Sequence, residues 1–396
     1  MRNGYRIIDA DTHINPSLGV LLRYADKELR EQMDELKPYI RNPGPDGEAT
    51  DESSLAIKPI RYNRVAGQKA EAKTQVGAGG ASFLEGRTPP RNPRPFAKGV
   101  SDDNSRGRLA DMDVEGVDMH FMIPGTWAYG APALKPDLAR GLFRAYHRYM
   151  EDYCSSDPRR LKSQVIALTT DPEWAAEIIR EYANKDWVAA VWPVLPEELS
   201  IDDPDLEPIW QAASEADLPI MYHSFTVETP YFPGYRDIWD NPPMGRCAGQ
   251  TWGAQRFLSF MLISGILDRY PNLRIGVLES GHGWLPHWLL RLTRQIDYVR
   301  GFTPPDLKHT PIEYGQSGRV FCGIDYSEGP QMTKAVVDLL GEQVLMYESD
   351  YPHPESMFPE TPPVVLAWAE TLGPKAMQKL MWENATRFFR LASSPW

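Results

Sequence analysis

Ser163-Gln164-Val165-Ile166-Ala167-Leu168, the helical pattern of Pro172–Asn184 and then Val188-Ala189-Ala190-Val191-Trp192 form the stretch on which the fold turns. Two short β-rich apolar runs flank one helical segment, and strands that alternate with helices imply a parallel sheet. The same alternation extends in both directions. Strand-like runs recur at Tyr5–Ala10, Val117–Ile123, Pro219–Tyr222, Leu273–Leu278, Val320–Ile324 and Val344–Tyr347. Helical patterns fall between them at Leu138–Cys154, Leu206–Ala216, Phe257–Tyr270, Gly283–Arg300 and Gln331–Leu340. Eight such units predict an α/β fold, a (β/α)8 TIM barrel. The rival doubly wound sheet would show Gly-x-Gly-x-x-Gly at its first strand-to-helix turn, and this chain does not.

Composition narrows the function. The 396 residues carry 42 Lys plus Arg against 54 Asp plus Glu, a net charge of −12 that disfavours nucleic acid and anionic membrane as partners. There is no apolar run long enough to span a membrane and no secretory-type N-terminus, so a cytoplasmic protein is expected. Three widely spaced cysteines, Cys154, Cys247 and Cys322, suit neither a disulfide framework nor a cysteine zinc site. The 36 prolines, about twice the usual share, gather in connections. The absence of repeats and linkers predicts one domain over 1–396, with an irregular insertion or lid over 35–106 after the first strand.

In a barrel, functional residues stand at the C-terminal ends of strands. The first strand ends Ile8-Asp9-Ala10-Asp11-Thr12-His13, and period-two alternation predicts Asp9, Asp11 and His13 on one face. The fifth strand ends in His223, the sixth in Glu279-Ser280-Gly281-His282, and the eighth in Ser349-Asp350-Tyr351-Pro352-His353. Each alone has a plainer reading: His223 as a core histidine, Asp350 as a turn cap, Glu279 as a helix cap. Four of eight strand ends carrying such groups point to a metal. Imidazole and carboxylate donors suit zinc, iron, manganese or cobalt.

At these residues the chain resembles the amidohydrolase superfamily, in its amidohydrolase-related group of aminocarboxymuconate-semialdehyde decarboxylase-like hydrolases and decarboxylases. The matching pieces are Ile8–His13, Leu109–Asp118, Tyr222-His223, Glu279–Pro286, Ser349–Pro354 and Asn384–Phe388. The resemblance implies a distorted TIM barrel with metal held by Asp11, His13, His223 and Asp350. It also implies a homo-oligomer, or a hetero-oligomer with a related chain. Family decarboxylases commonly place a histidine after strand six, where this chain has Glu279, with His282 three residues on. A lysine-bridged metal pair is not expected, because the fourth strand ends without lysine. Glu279, His282 and Asp9, with His353 nearby, leave material for a second ion.

The reading is therefore a metal-dependent hydrolase or decarboxylase of a small organic or aromatic acid. Zinc comes first among divalent metals, with iron or manganese as alternatives. Asp350, His282 and Glu279 are the expected catalytic groups. The alternatives are an iron or iron/manganese oxygenase on the same barrel and a non-catalytic structural subunit. Aromatic residues near the strand ends, Trp127, Trp252 and Trp284 with His353, are expected to contact substrate. Tyr129, Trp192, Phe225, Tyr231 and Phe232 join them in the aromatic set, and Arg236, Arg246 and Arg256 could face a substrate carboxylate.

Overall fold

The computed structural model describes residues 1–55, 57, 104–196, 199–224, 242–299, 301–304, 307–353 and 356–391. Eight parallel strands follow one another in chain order: β1 (Ile8–Ile14), β2 (Met119–Pro124), β3 (Leu161–Leu168), β4 (Val188–Val194), β5 (Ile220–His223), β6 (Ile275–Leu278), β7 (Val320–Gly323) and β8 (Leu345–Met346). Helices stand between successive strands: α1 (Ser105–Glu115), α2 (Pro136–Cys154), α3 (Pro172–Tyr182), α4 (Glu207–Glu215), α5 (Thr251–Ile263), α6 (Leu285–Tyr298) and α7 (Gly329–Leu340). Main-chain bonds then bring β1 against the chain leaving β8. Ala10 N–H donates to Tyr347 O (3.0 Å), Asp350 N–H to Asp11 O (3.1 Å) and His13 N–H to Tyr351 O (2.6 Å). The strands thus make the nearly closed (β/α)8 barrel expected from their alternation with helices.

The strands are buried on both faces, as a parallel sheet under a ring of helices requires. Each helix turns one side to them. In α2 that side is Leu138, Leu142, Phe143, Tyr146, Tyr149, Met150 and Tyr153, spaced by three and four residues. Among the described residues no helix is long and apolar enough to cross a membrane.

The insertion begins with more order than its composition suggests. Residues 33–55 include a short helix (Met33–Leu36), a 3-10 turn (Lys37–Tyr39) and an antiparallel ladder pairing Ile40–Arg41 with Ser54–Leu55. Polar bonds that no apolar period reveals hold this piece. Ser53 Oγ donates to Asn42 O (2.8 Å) and accepts from Thr50 N–H (2.8 Å), while Leu18 N–H donates to Ser53 O (2.8 Å). Residues 56 and 58–103 of the predicted insertion lie outside the described residues.

One buried histidine of the frame makes an acid-stability prediction. His147 of α2 accepts Ile166 N–H at Nε2 (2.9 Å), and burial lowers its imidazole from 6.5 to about 3. The unfolded chain binds this proton below its ordinary pKa whereas the folded chain does not. The stability contributed by the neutral ring is complete above pH 6.5 and is lost as pH falls towards 3. His147→Gln keeps an acceptor without the titration. It is expected to flatten the acid limb of stability against pH by up to about 1.4 kcal/mol per pH unit in that window, measured by urea unfolding.

Candidate metal centre

A register slip in β1 sets the site. Asp9 pairs with His120 and Thr12 with Met122, so three steps along β1 match two along β2, and one extra residue is accommodated. An extra residue reverses the side-chain alternation, as β-bulges do where they re-aim side chains. Asp9 and Thr12 therefore share a side, and His13 faces the other. The expectation that Asp9, Asp11 and His13 project together is corrected accordingly. Asp9 accepts Ser349 N–H (3.0 Å) and Ser349 Oγ–H (2.5 Å), and burial pushes its carboxyl up to about 8 despite those bonds.

The remaining groups converge. Asp11, His13 and His223 present ligand atoms within 4.8 Å of one another, and so do His13, Asp350 and His353. His13 Nε2 lies 3.5 Å from Asp11 Oδ1 and 3.0 Å from Asp350 Oδ1, while His223 Nε2 lies 3.4 Å from Asp11 Oδ2. Asp350 thus reaches the first triad through His13. Both oxygens of Asp11, Nε2 of His13 and Oδ2 of Asp350 are buried and have no hydrogen bond among the described residues. Buried polar atoms left in this state on one imidazole and two carboxylates, with the His223 imidazole beside them, fit a divalent cation that would ligate them.

Electrostatics agree with a site built for positive charge. Burial opposes protonation of His223, yet Asp11 and Glu279 outweigh it and raise that imidazole to about 10. His13, also buried and beside two other imidazoles, is driven well below its ordinary value by burial first and by His353 next. Glu279 and Asp350 both adopt left-handed backbone, with φ of 48° and 65°. Such strain in non-glycine residues gathers at functional positions.

Glu279 stands beside this cluster, its Oε2 2.9 Å from His223 Nε2. Gln250 Nε2–H donates to its Oε1 (2.6 Å), and Arg246 lies 3.8 Å from the same oxygen. His353 is 44% exposed, bonds Asp350 Oδ1 through Nδ1 (2.6 Å) and lies 4.1 Å from the His13 ring centroid.

His282 is not brought into the cluster. Its Nδ1 accepts Asp325 N–H (3.2 Å) and its Nε2 meets Thr333 Oγ1 (2.9 Å), whose own hydroxyl donates to Gly329 O (2.9 Å). The ring is fully buried and neutral, lowered by burial to about 4, and it ties the β6 turn to the segment after β7. Of the four metal-site groups expected from the resemblance, Asp11, His13, His223 and Asp350 are gathered. Of the groups expected to build a second site, Glu279 and His353 are near, while Asp9 and His282 are engaged elsewhere.

The aromatic set divides as well. Trp127 is buried against Phe143 and Tyr146 of α2, at centroid distances of 6.3 and 5.7 Å, and belongs to the core. Tyr129 and Trp192 are also buried. Trp284 Nε1–H donates to Ser280 O (3.0 Å) and Gly281 O (2.9 Å), pinning the β6 turn, and Trp252 is half-buried at the start of α5. Arg256 donates to Leu199 O (3.0 Å). Phe225, Tyr231, Phe232 and Arg236 lie outside the described residues.

Glu348 went unnoticed in the sequence. Its carboxyl is buried and held well above its ordinary value, first by burial and then by Asp11, Asp325, Glu279 and Asp9. Its position two residues before Asp350 is the period-two signal that could have found it.

A parallel barrel with a buried cluster of imidazole and carboxylate groups able to hold a metal, at the ends of β1, β5 and β8, is the class of protein these features define. Residues 8–391 match the amidohydrolase family, and the chain belongs to it. Decarboxylase orsB of Emericella nidulans is 24% identical over 202 residues, which are 50% of this chain. The chain spans only 60% of the length of that curated relative. The 5-carboxyvanillate decarboxylase of Novosphingobium aromaticivorans, solved with manganese and 4-hydroxy-3-methoxy-5-nitrobenzoic acid, superposes with a TM-score of 0.68 at 20% identity, over 98% of this chain and 97% of that one. A 2,6-dihydroxybenzoate decarboxylase from Rhizobium gives a TM-score of 0.56 at 18% identity, over 72% and 87% of the two chains.

Proposed function

We propose that this protein is a metal-dependent decarboxylase of a hydroxylated aromatic acid, acting at Asp11, His13, His223 and Asp350. The observation that carries the reading is the buried cluster of two imidazoles and two carboxylates at the barrel's C-terminal mouth. A divalent ion held there supplies a Lewis acid and an anchor for the substrate carboxylate and a neighbouring oxygen. Zinc suits these donors first, and the manganese of the 5-carboxyvanillate enzyme makes it the competing candidate. A single ion fits better than two, since Asp9 and His282 are engaged elsewhere.

Asp350 is the residue placed to move the proton. Its Oδ1 is tied to His13 and His353, and its buried Oδ2 has no hydrogen bond among the described residues. When the carbon–carbon bond breaks and carbon dioxide leaves, the electron pair stays on the ring carbon. Asp350 delivers the proton that this carbon gains, and the half-exposed His353 links Asp350 to solvent for its replacement. A hydrolytic reading is favoured by Glu279, whose carboxylate beside His223 suits activation of water. The relatives above add nothing to the oxygenase alternative. A cytoplasmic, oligomeric protein remains part of the proposal; light scattering checks the assembly.

The deciding experiment supplies manganese or zinc to the stripped protein and offers a panel of hydroxybenzoates with and without oxygen. Release of one carbon dioxide per phenol formed, indifferent to oxygen, is the expected result. A fully loaded protein that decarboxylates none of them, yet hydrolyses a related ester or ketone, would move the function to hydrolysis.

A further inference from the structure

Helix α1 turns charged residues inward. Arg108, Asp111 and Glu115 are buried along with Met112. Arg108, only 2% exposed, spreads its guanidinium over the seam between β1 and β8. It donates to the main-chain carbonyl of His13, to Thr12 Oγ1 (3.4 Å) and to Tyr153 Oη (3.2 Å). The same group lies 5.1 Å from the ring centroid of Tyr351 and 3.4 Å from His120 Nδ1. Tyr351 Oη–H in turn donates to Asp111 Oδ2 (2.7 Å), and Tyr351 O accepts His13 N–H (2.6 Å).

Both main-chain polar groups of His13 are thereby taken, the carbonyl by Arg108 and the N–H by Tyr351. Tyr351 directly follows Asp350. The seam carries three main-chain bonds but no regular ladder, Thr12 and Tyr351 forming an isolated bridge. Yet the donors of the metal centre stand on both of its sides: Asp11 and His13 on β1, Asp350 beyond β8. Burying an arginine is costly, and apolar residues of the same size often stabilise a fold as well or better. A guanidinium fork that reads one carbonyl and two hydroxyls supplies what an apolar filler lacks, a fixed geometry.

We propose that Arg108, Asp111 and Tyr351 form a buried clamp that sets the spacing of β1 against β8, acting as positioning residues for the metal donors. The inference rests on the metal-centre reading above. Partners that orient ligands in this manner typically govern metal affinity by about 10- to 100-fold.

The test compares the full-length chain, stripped of metal, with Tyr351→Phe and Arg108→Lys. Tyr351→Phe removes one hydroxyl and leaves the ring and main chain; Arg108→Lys keeps the charge and loses the fork. Manganese(II) dissociation constants are read from the EPR signal of free against bound ion, and the melting temperature of each stripped chain is measured alongside. The expected result is binding weakened about 10- to 100-fold in both variants, with a broadened bound-ion signal. Unchanged affinity overturns the clamp, including the case in which the melting temperature falls while affinity stays, because that is a purely structural role. If Arg108→Lys does not fold, Tyr351→Phe decides alone. A wild-type chain that takes up neither manganese nor zinc is a different failure, removing the metal centre and the clamp with it.

Discussion

Replacement of His13 by alanine is expected to leave a folded barrel that no longer takes up divalent metal and has lost about a thousandfold or more in turnover. His13 belongs to both donor triads, and its Nε2 lies between Asp11 (3.5 Å) and Asp350 (3.0 Å). Its removal breaks the link through which Asp350 joins Asp11 and His223. Lewis-acid stabilisation is worth several kcal/mol of barrier, and each 1.4 kcal/mol is a tenfold change in rate. Elemental analysis per chain and kcat/KM read the two consequences separately. Chelation of the wild-type protein should reproduce the same loss reversibly, with activity returning on addition of manganese or zinc. His282→Gln is the contrast, since that ring is bonded to Asp325 and Thr333 and is expected to leave metal content unchanged. An alanine variant at His13 that keeps one metal per chain and full turnover would refute the donor assignment.

The second large effect is on stability, at Gly323 on β7. A methyl group there would overlap the carboxylate of Glu348, which is only 6% exposed and has one oxygen without a hydrogen bond among the described residues. On an open surface a glutamate would swing aside at little cost. Here Asp11, Glu279 and Asp9 are near enough to act on the same carboxyl, so the directions left to it lead towards like charges. Overpacking a filled interior costs about 1–3 kcal/mol and at times more. Gly323→Ala is expected at the upper end of that range by urea unfolding. Glu348→Ala placed on the same chain should recover most of the loss, because it removes the group the methyl strikes. Additive effects in that double-mutant cycle would show that the two residues do not meet.

The strand ends explain why much of the centre was legible before any coordinates. Barrel chemistry collects at the C-terminal ends of β-strands, so apolar runs that stop in Asp-x-His, His223 or Ser-Asp-Tyr-Pro announce both a strand and its function. Boundaries were harder. The apolar run Tyr5–Ala10 reads as the first strand, whereas β1 spans Ile8–Ile14, because Asp11, Thr12 and His13 are polar and still lie in the sheet. Hydropathy marks what water rejects; it does not mark polar residues that partners such as the buried Arg108 keep inside. The ladder in the insertion escaped for a related reason, being held by Ser53 and Thr50 and not by an apolar face.

His282 and Glu348 show the other boundary of such reading. In sequence His282 stands three residues from Glu279 and looks equally available, and Glu348 stands two from Asp350 and looks ordinary. Which of them faces the cluster depends on the turn after β6 and on what β7 presents to it. The segment after β7 supplies Asp325 N–H and Thr333 to the histidine, and Gly323 leaves room for the glutamate.

By itself, the sequence determined the eight-fold alternation of strand and helix, the kinds of donor and the strands that end in them. These are local properties, written in side-chain period and composition. Only the tertiary structure decided that an extra residue in β1 turns Asp9 away from His13, that His282 serves the wall of the barrel, and that Arg108 closes the seam beneath the metal donors. Each of those depends on partners more than forty positions apart, whose meeting is set by the register and closure of the barrel and by no short stretch of chain.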